Sequence, residues 1–431
     1  MDRQDRSGLT TRGERVHLSN TNVAQKRGVR MSFRGHAAIV GVADYKCERT
    51  YTGPRQFSLE QWADLSARAL ADAGIESHEV NGLVCVGDIG ESAMFHPATI
   101  AEYCGWSVDF AERVDLGGAS SVAAVWRAAA AIELGMCDVV VVTSTGRPRP
   151  DAPAATPQAR ARSVSASSWI YGSPQAEFEV PYGDVPPNIG FAMYATRYHA
   201  LYGADHWARA KIAADQRTSA CVNPDAVFFG KPITTDEVLE SRIIADPLHI
   251  FEIVMLCHGG ASVVLASKER ARRCPNRGVF VTGCGEHLSH KTPTYSVDEV
   301  PRTPISHVAD KAFAMSGLSR DDIDMVQLYD CYTITVLLTI EQSGFCGAGE
   351  GMQFVRDHDL SYKGNFPCNT HGGMLGFGQP GMAGGMSMVV EAARQIQSVS
   401  ENRQLRKHDT AYVSGTGGIM SEQAALILQG A

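Results

Sequence analysis

The stretch HGGMLGFGQPGMAGG, residues 371–385, contains seven glycines in fifteen positions and places Gln379 between Gly378 and Pro380. Glycine loses more conformational freedom on folding than any other residue. A run of this kind is therefore costly unless the backbone needs unusual conformations or a close approach. It predicts a segment that passes close to a bound molecule, with a polar side chain among the glycines.

The chain as a whole has the composition of an ordinary globular protein. Its 431 residues are 44% apolar and 20% charged, with a net charge of −8. This balance offers no basic surface for nucleic acid, and no apolar run approaches the ~18 residues that span a bilayer. We therefore expect neither a nucleic-acid nor a membrane partner.

Eleven scattered cysteines, an odd number without a CxxC pair, favour neither a disulfide framework nor a structural zinc site. We expect a reduced, cytoplasmic protein without a metal centre. Residues 1–34 are polar and arginine-rich and lack the hydrophobic core of a signal peptide. They are predicted to be a disordered extension, with Met31 as an alternative start.

Strand-like and helix-like patterns alternate along the chain, as in AAIVGVADY (37–45), LEQWADLSARALADAG (59–74) and NGLVCVGDI (81–89). This alternation is typical of parallel α/β structure. The run SVAAVWRAAAAIELG (121–135) is apolar around nearly its whole circumference, which predicts a helix buried on all sides. The run CDVVVVTSTG (137–146) predicts a central strand covered on both faces.

The second half of the chain repeats the first. The segment RALADAGIESHEVNGLVCVGD (68–88) aligns with KAFAMSGLSRDDIDMVQLYDC (311–331), so that Gly74 falls on Gly317. Two later strand-like runs, DVVVVTSTG and DTAYVSGTG, share four residues in nine. Since the two matches occur in the same order with similar spacing, they indicate an internal duplication of one α/β unit.

The two halves are separated by a region of different composition. It begins with the Pro/Ala/Arg-rich segment RPRPDAPAATPQARARSVSAS (147–167), and we expect irregular structure from there to about residue 244. The strand HGGASVVLAS (258–267) then returns to the sheet of the first half. The predicted domains are an extension (1–34), a first half (35–146 and 245–270), a loop subdomain (147–244) and a second half (275–431).

Four segments together resemble the thiolase superfamily, and in particular the sterol-carrier-protein-type thiolases and thiolase-like lipid-transfer proteins. They are CNTHGGMLGFGQPGMAGGMSMVVEAARQ (368–395), LYDCYT (328–333), YVSGTGGIMSEQAALIL (412–428) and EFEVPYG (177–183). The likeness extends from about residue 36 to the end. It implies a five-layer αβαβα thiolase fold, a homodimer and a coenzyme A thioester as substrate, with no tightly bound cofactor.

At three positions where this resemblance implies catalytic groups, the chain carries other residues. Gly118, in VDLGGASS, stands where the cysteine-dependent members have the acyl-accepting cysteine. Gln379 replaces the histidine of the G-H-P motif, and Ser414 replaces a second cysteine. No thiolate can form at Gly118, and serine is too weak an acid for α-proton transfer without help. An acyl-enzyme at these positions is therefore not expected.

The YDCY motif offers hydroxyl groups instead. Tyr329 and Tyr332 are expected in the site, because a phenol with a pKa near 10 acts as an acid or hydrogen-bond donor without tuning. His371, inside the glycine-rich segment, can titrate near neutral pH. We predict Tyr329 as the proton-transfer residue, with Tyr332 and His371 as second choices. Ordinary packing is the alternative for all three side chains.

Further site residues are expected to stabilise charge or to bind the substrate. The start of a helix and neutral hydrogen-bond donors both favour a developing enolate. The predicted enolate-stabilising residues are Gln379, Gly118, Ser120 and Ser414. The predicted substrate-binding residues are Gly372, Gly373, Gly378 and Asp330. Structural packing is the alternative for the glycine pair before the helix and for Gln379.

A thioester pocket without either cysteine favours retro-aldol cleavage of a β-hydroxyacyl-CoA, which needs no acyl-enzyme. This interpretation resembles the thiolase-like aldolases of sterol side-chain degradation, and it implies a small partner with an OB-fold and a zinc ribbon. Two alternatives stay open. One is a divergent acyltransferase for an aromatic or branched β-ketoacyl-CoA, with a thiol from Cys331 or Cys368. The other is a non-catalytic acyl-CoA or lipid carrier.

Overall fold

The strands of the protein were assigned in a computed structural model that describes residues 33, 35–87, 90–92, 94–150, 177, 181, 187–289 and 300–431. The predicted disordered extension and most of the EFEVPYG motif lie outside these residues. In chain order the strands are β1 (Ala37–Asp44), β2 (Gly82–Val86), β3 (Phe110–Val114), β4 (Val139–Thr145), β5 (Ile243–Ala245), β6 (Leu248–His249), β7 (Gly260–Ser267), β8 (Val279–Leu288), β9 (Met325–Gln327), β10 (Thr410–Gly417) and β11 (Glu422–Gly430).

The helices alternate with these strands. In chain order they are α1 (Ser58–Ala73), α2 (His96–Cys104), α3 (Ser120–Glu133), α4 (Pro187–Tyr202), α5 (His206–Ala220), α6 (Thr235–Glu240), α7 (Lys268–Ala271), α8 (Ile305–Ser316), α9 (Thr333–Gln342), α10 (Gly351–Asp357), α11 (Gly373–Gly376) and α12 (Gly384–Ile396). No helix within the described ranges combines the length and the apolar character that a membrane crossing requires.

Nine strands form one mixed sheet in the order β3-β2-β4-β7-β1-β8-β11-β10-β9. β2 pairs in parallel with β3 and β4, and β10 pairs in parallel with β9, whereas β7 and β11 run antiparallel to their neighbours. The two halves join where Ala38 and Ile39 pair with Phe280 and Val279. β4 lies between β2 and β7 and is buried on both faces, as its continuous β-branched run predicted.

Two helices occupy the middle of the molecule. α3 packs on β2, β3 and β4 of the first half and on β10 and β11 of the second half, and α12 packs on strands of both halves as well. α1 covers the outer face of β1, β4 and β7, while α8 covers β8 and β11. The two halves of the sheet thus form two layers, with α3 and α12 between them and α1 and α8 outside, which agrees with the predicted five-layer arrangement. It also explains why the sequence of α3 is apolar on nearly every side.

The duplication is visible in how each half packs its outer helix. α1 and α8 both end at a glycine in the left-handed conformation. A Cβ atom on Gly41 would lie closer than 3.0 Å to the carbonyl oxygen of Ala69, and one on Gly283 would lie equally close to that of Ala312. Ala69 and Ala312 are the residues that the internal alignment paired. The two halves therefore bring helix and strand together through the same small residues.

Part of the inserted region differs from its sequence-based description. Residues 187–244, expected to be irregular, contain α4, α5 and α6, so that expectation is wrong for these residues. The sequence pattern did not reveal α4, because this helix carries apolar residues on most sides and therefore lacks the period of an amphipathic helix. α4 packs on α9, which begins close to the end of β9 and also contacts α5. The boundaries proposed for the loop subdomain stay a prediction.

Candidate active site

The candidate site is built around the turn that follows β9. There the YDCY motif (329–332) leads into α9, and the glycine-rich segment (371–385) lies beside it. Asn369 joins the two, because its side chain accepts a hydrogen bond from the Leu328 N–H at 2.7 Å and donates one to the Leu328 carbonyl at 2.9 Å. Residues 253–257 run along both segments and pair with each of them. Three distant parts of the chain thus meet at one place.

Tyr329 lies at the centre of this arrangement and is only 4% exposed. Its backbone N–H donates to Ser414 Oγ at 3.1 Å, and its hydroxyl oxygen accepts a hydrogen bond from Gln379 Nε2 at 3.3 Å. Burial raises the pKa of the phenol well above its ordinary value, and the neighbouring Cys331 and Asp330 act in the same direction. The phenol therefore stays protonated near neutral pH, and it can donate a proton or a hydrogen bond.

The Tyr329 hydroxyl fills the space that a side chain at position 118 would need. A Cβ atom on Gly118 would lie closer than 3.0 Å to both the hydroxyl oxygen of Tyr329 and the carbonyl oxygen of Thr416. Nonbonded heavy atoms attract best at ~3.5–4.0 Å, so this approach is strongly repulsive. The place of the acyl-accepting cysteine is thus taken by a phenol from the other half of the chain. Gly118 is required by that phenol.

Gln379 is held by its backbone beside Tyr329. Its N–H donates to the Met255 carbonyl at 2.8 Å, and its own carbonyl accepts from the Cys257 N–H at 3.1 Å. The amide Nε2 then lies 3.3 Å from the Tyr329 hydroxyl and 3.4 Å from the Gly381 carbonyl. Sequence reasoning missed this supporting segment, because IVMLC reads as an ordinary apolar strand and carries no other signal.

Tyr332 faces the inserted region. Its hydroxyl donates to Asn188 Oδ1 at 2.5 Å, and its ring stacks on Phe191 with 4.2 Å between centroids. Burial, followed by the nearby Cys331, raises the pKa of Tyr332 well above its ordinary value. Tyr332 therefore couples the site to α4. Asn188 was not predicted as a site residue, since it lies far away in the sequence and in no recognisable motif.

His371 is buried against α12. Its ring contacts Phe377 at 5.0 Å between centroids, and its Nε2 lies 3.3 Å from Ser387 Oγ. Because the Ser387 hydroxyl donates to the Gly384 carbonyl at 2.7 Å, the proton of the histidine belongs on Nε2. Within the described ranges Nδ1 has no hydrogen-bond partner. Burial lowers the pKa of His371 to about 4, so the imidazole is neutral at pH 7.

His371 predicts a loss of stability in acid. Its pKa is about 4 in the folded state against 6.5 ordinarily, so the unfolded chain takes up the proton first as the pH falls. The stabilisation is complete above pH 6.5 and is lost towards pH 4, by about 3 kcal/mol. His371→Gln is expected to reduce the fall of the free energy of unfolding over this range, measured by urea denaturation.

The fall of the free energy of unfolding with decreasing pH will not vanish in that variant, because burial also lowers the pKa of His199 to about 4. His78→Gln, at an exposed histidine, is the matched control and should keep the wild-type slope. Identical slopes in the wild type and the His371 variant would contradict the assignment of a neutral, buried imidazole.

The glycines predicted to bind the substrate face other parts of the protein. At each of the three, a Cβ atom would lie closer than 3.0 Å to a neighbouring residue, which is too close for a side chain. The pairs are Gly372 with Ala220, Gly373 with Asp330, and Gly378 with Cys257. These glycines let the segment fold tightly against α5, the end of β9 and residues 253–257. Their contact with a thioester stays a prediction.

Two other predicted residues serve the local backbone. Asp330 is 0% exposed, and its carboxylate accepts hydrogen bonds from the N–H groups of Met374 at 2.8 Å and Leu375 at 3.1 Å. The hydroxyl of Ser120 accepts from the Leu116 N–H at 2.7 Å and donates to the Gly117 carbonyl at 2.7 Å, which closes the turn before α3. Direct contact of either side chain with a substrate remains untested.

The cysteines considered for acyl transfer are buried. Burial raises the pKa of Cys331 and of Cys368 above the ordinary thiol value, and the carboxyl group of Asp330 adds to the increase in both. The thiolate is the nucleophilic form of cysteine, so both side chains are poor nucleophiles near neutral pH. All eleven cysteines of the chain are free thiols. The site therefore combines a protonated phenol and an amide, and neither Cys331 nor Cys368 is an activated thiol.

Comparison with known proteins points to one family. Residues 285–430 match the family described as thiolase C-terminal domain-like. A steroid side-chain-cleaving aldolase of Thermomonospora curvata is 32% identical over 389 residues, which cover 89% of this chain and 96% of the relative. A 17-hydroxy-3-oxo-4-pregnene-20-carboxyl-CoA lyase of Mycobacterium tuberculosis is 31% identical, with 89% and 97% covered.

Solved structures agree with these relatives. A structure named Ltp2-ChsH2(DUF35) aldolase superposes with a TM-score of 0.80 and 30% identity, covering 92% of this chain and 98% of that one. An SCP2-thiolase-like protein of Mycobacterium smegmatis has a TM-score of 0.68 at 18% identity, which shows the fold alone. With the five-layer fold, the duplicated halves and a tyrosine in place of the thiolase cysteine, this chain belongs to the thiolase superfamily, among its sterol-carrier-type aldolases.

Proposed function

We propose that this protein cleaves a β-hydroxyacyl-CoA by a retro-aldol reaction into a ketone or aldehyde and a shorter acyl-CoA. It is a lyase of the thiolase superfamily, and coenzyme A thioesters are its substrates. The observation that carries the proposal is the Tyr329 hydroxyl, which fills the space next to Gly118 and leaves no room for an acyl-accepting side chain. The relatives named for steroid side-chain cleavage support a steroid-type acyl group.

The proposed reaction moves one proton from oxygen to carbon. A base accepts the proton of the β-hydroxyl group while the Cα–Cβ bond breaks, and the electron pair of that bond becomes a thioester enolate. The α-carbon then takes a proton from the phenol of Tyr329, which its raised pKa keeps protonated at neutral pH and which is still a far stronger acid than the α-carbon of a thioester. The proton from the β-hydroxyl group restores the phenol. The balance needs no oxidant and no tightly bound cofactor.

Stabilisation of the enolate is proposed to come from neutral donors. Gln379 Nε2 carries two N–H groups, which here make long contacts with Tyr329 and the Gly381 carbonyl, and an enolate oxygen placed beside Tyr329 would replace one of these contacts. The start of α3, next to Gly118 and Ser120, adds the positive end of the helix dipole. Ser414 holds Tyr329 in place by accepting a hydrogen bond from its backbone N–H. Tyr332 and His371 stay second choices for proton transfer, because their contacts are with α4 and α12.

We infer that the chain works as a homodimer with a small partner. β3 is an edge strand of the sheet, and Met94 and Phe95, just before the adjacent α2, are 65% and 75% exposed. Unpaired edges and exposed apolar side chains are typical of interaction sites. The solved relative named Ltp2-ChsH2(DUF35) aldolase supports a small partner protein, for which the resemblance implies an OB-fold and a zinc ribbon. The eleven free thiols support a reducing, cytoplasmic location.

Product analysis tests this function. We expect the protein, purified alone and with its co-expressed partner, to convert a panel of β-hydroxyacyl-CoA esters into a ketone and a shortened CoA ester, both detected by mass spectrometry. Pretreatment with iodoacetamide should change the rate by less than about twofold, because Cys331 and Cys368 are buried and protonated and no thiol takes part in the proposed reaction. The panel should run from short chains to steroid-type acyl groups.

Two other results would favour the alternatives. Inactivation by iodoacetamide with protection by substrate, together with transfer of an acyl group to CoA, would support a divergent acyltransferase. Binding of CoA esters without turnover, with or without the partner, would support a carrier.

A further inference from the structure

A wholly buried carboxylate lies directly behind Tyr329 and holds the glycine-rich segment. Each carboxylate oxygen of Asp330 accepts a hydrogen bond from a different peptide N–H, that of Met374 at 2.8 Å or that of Leu375 at 3.1 Å. Both peptides belong to α11, the single turn inside this segment. Hydrogen bonds to a charged acceptor are about twice as strong as neutral ones. Asp330 is thus the main polar attachment of α11 to the end of β9.

Gly373 packs tightly against this attachment. Gly373 has φ +60°, and a Cβ atom there would lie closer than 3.0 Å to Asp330 Oδ2 and 2.9 Å from Asn369 Nδ2. The Asn369 side chain in turn is hydrogen-bonded to both the N–H and the carbonyl of Leu328. The segment is therefore fitted closely to the two residues on either side of Tyr329, with no space for a side chain at position 373.

The same short run carries Gln379. The N–H groups of Phe377 and Gly378 both donate to the Gly373 carbonyl, at 2.7 and 3.3 Å, so the backbone between the attachment and Gln379 is compact. Asp330 holds the beginning of this run through Met374 and Leu375. Tyr329, which directly precedes Asp330 in the sequence, contacts Gln379 near the end of the run. The hydrogen bond between Gln379 and Tyr329 is already long at 3.3 Å. A shift of a few tenths of an ångström would break it.

We propose that Asp330 is a positioning residue for the cleavage, because its carboxylate holds α11 and so sets the distance between the Gln379 amide and the Tyr329 hydroxyl. This inference rests on the retro-aldol function proposed above. It replaces the substrate contact predicted for Asp330 with a role behind the reacting groups. It also makes the catalytic arrangement sensitive to the charge of one buried carboxyl group.

The charge of Asp330 changes near physiological pH. Burial raises its pKa to about 7, although the hydrogen bonds from Leu375 and Met374 act against the increase. Protonation turns one accepting oxygen into a hydroxyl, which donates and cannot serve the second peptide N–H as the carboxylate does. One of the two attachments of α11 is therefore weakened as the pH falls through 7. The active form is the ionised one.

Three neighbouring groups stay neutral in the same range. Tyr329, Cys331 and Cys368 face the carboxylate, and burial raises the pKa of each, so all three stay neutral. On the adjacent α5, Asp215 lies beside Cys368 and is paired with Lys211. Its pKa is raised as well, chiefly by burial. The Lys211 ammonium group compensates its charge, and Asp215 makes no hydrogen bond to α11 within the described ranges.

Asp330→Asn tests the proposal through the pH profile of cleavage. The wild-type kcat is expected to fall on the acid side with a midpoint near pH 7. In the variant we expect kcat at pH 8 to be about 10- to 100-fold lower, because a misplacement of reacting groups by about 1 Å can reduce the rate by about 100-fold. The acid limb should be absent, and KM should change by less than about twofold, because substrate binding is retained.

Glu341→Gln is the matched control. Glu341 is also a buried carboxylate, but it bonds Tyr198 and the Gly351 N–H, away from the glycine-rich segment. This variant should keep the acid limb. Gly373→Ala, which crowds Asp330 without removing it, serves if the asparagine variant does not fold; it should lower kcat and keep the acid limb. An asparagine variant with the wild-type profile would overturn the proposal.

Amide hydrogen exchange gives a readout that does not depend on turnover. Peptides covering residues 372–379 should lose protection in the wild type as the pH falls from 8 to 6, after correction for the intrinsic exchange rate. In Asp330→Asn the protection should be low at both values. If no panel ester is cleaved, this measurement still tests the attachment of α11, so the two failures are distinguishable. Unchanged protection in the variant would also overturn the proposal.

Discussion

A Tyr329→Phe variant is expected to lose about 10³-fold in kcat for cleavage of a β-hydroxyacyl-CoA while keeping its fold. The change removes the phenol that is proposed to donate the proton to the α-carbon, and with it the hydrogen-bond partner of Gln379. The phenyl ring still fills the buried space next to Gly118, so packing is preserved. Product formation measured by mass spectrometry, together with a thermal melt, checks both parts of this expectation.

Tyr412→Phe is the control for that experiment. Tyr412 is buried too, and its hydroxyl lies 3.0 Å from the Oγ of Ser343, which follows α9 at the end opposite to the YDCY motif. Loss of this hydroxyl removes a comparable buried group, so activity should stay within a few-fold. Full activity in the Tyr329 variant, with the control equally active, would show that another residue moves the proton.

A Gly118→Ala variant is expected to lose at least about 10²-fold in activity, although it removes no reacting group. The new methyl group would overlap the hydroxyl of Tyr329 and the carbonyl of Thr416, so the phenol must leave its place. Overpacking of a buried site of this kind costs about 1–3 kcal/mol. Kinetics and urea denaturation measure the two effects separately. Gly118→Cys should lose cleavage for the same reason, without gaining thiolase activity.

Gly278→Ala is the matched control, because the nearest atom to its new methyl group would be Ala38 Cβ at 3.4 Å, an ordinary contact. It should retain both stability and activity. Wild-type kinetics and stability in Gly118→Ala would mean that the phenol does not occupy the cysteine's place in solution, and the proposed function would lose its main support.

Much of the fold could be predicted because it depends on local pattern. The apolar circumference of α3 and the β-branched run of β4 report burial directly, and both were predicted. The duplication was detectable because each half repeats the same small residues at its helix–strand contact. The inserted helices were missed for the opposite reason, since an apolar helix such as α4 has no amphipathic period.

The site could be predicted only in part. Replacement of the catalytic cysteine was evident at Gly118, but its reason was not, since the phenol that needs the space comes from the other half of the chain. The proximity of Gln379 and Tyr329 followed from the resemblance. The partners of Tyr332 and Asp330 did not, because Asn188 and the α11 peptides are brought near by tertiary packing alone.

The mutual exclusion of a side chain at position 118 and a tyrosine at position 329 restricts the order in which such a site can arise. In a protein with cysteine at the first position, the tyrosine cannot be accommodated, so the glycine must be introduced first. The intermediate has neither nucleophile nor phenol, and a hole in the place of both. Conversion of a cysteine-dependent relative into an enzyme of this kind therefore requires that the cysteine is lost before the tyrosine is gained, or that both change in one step.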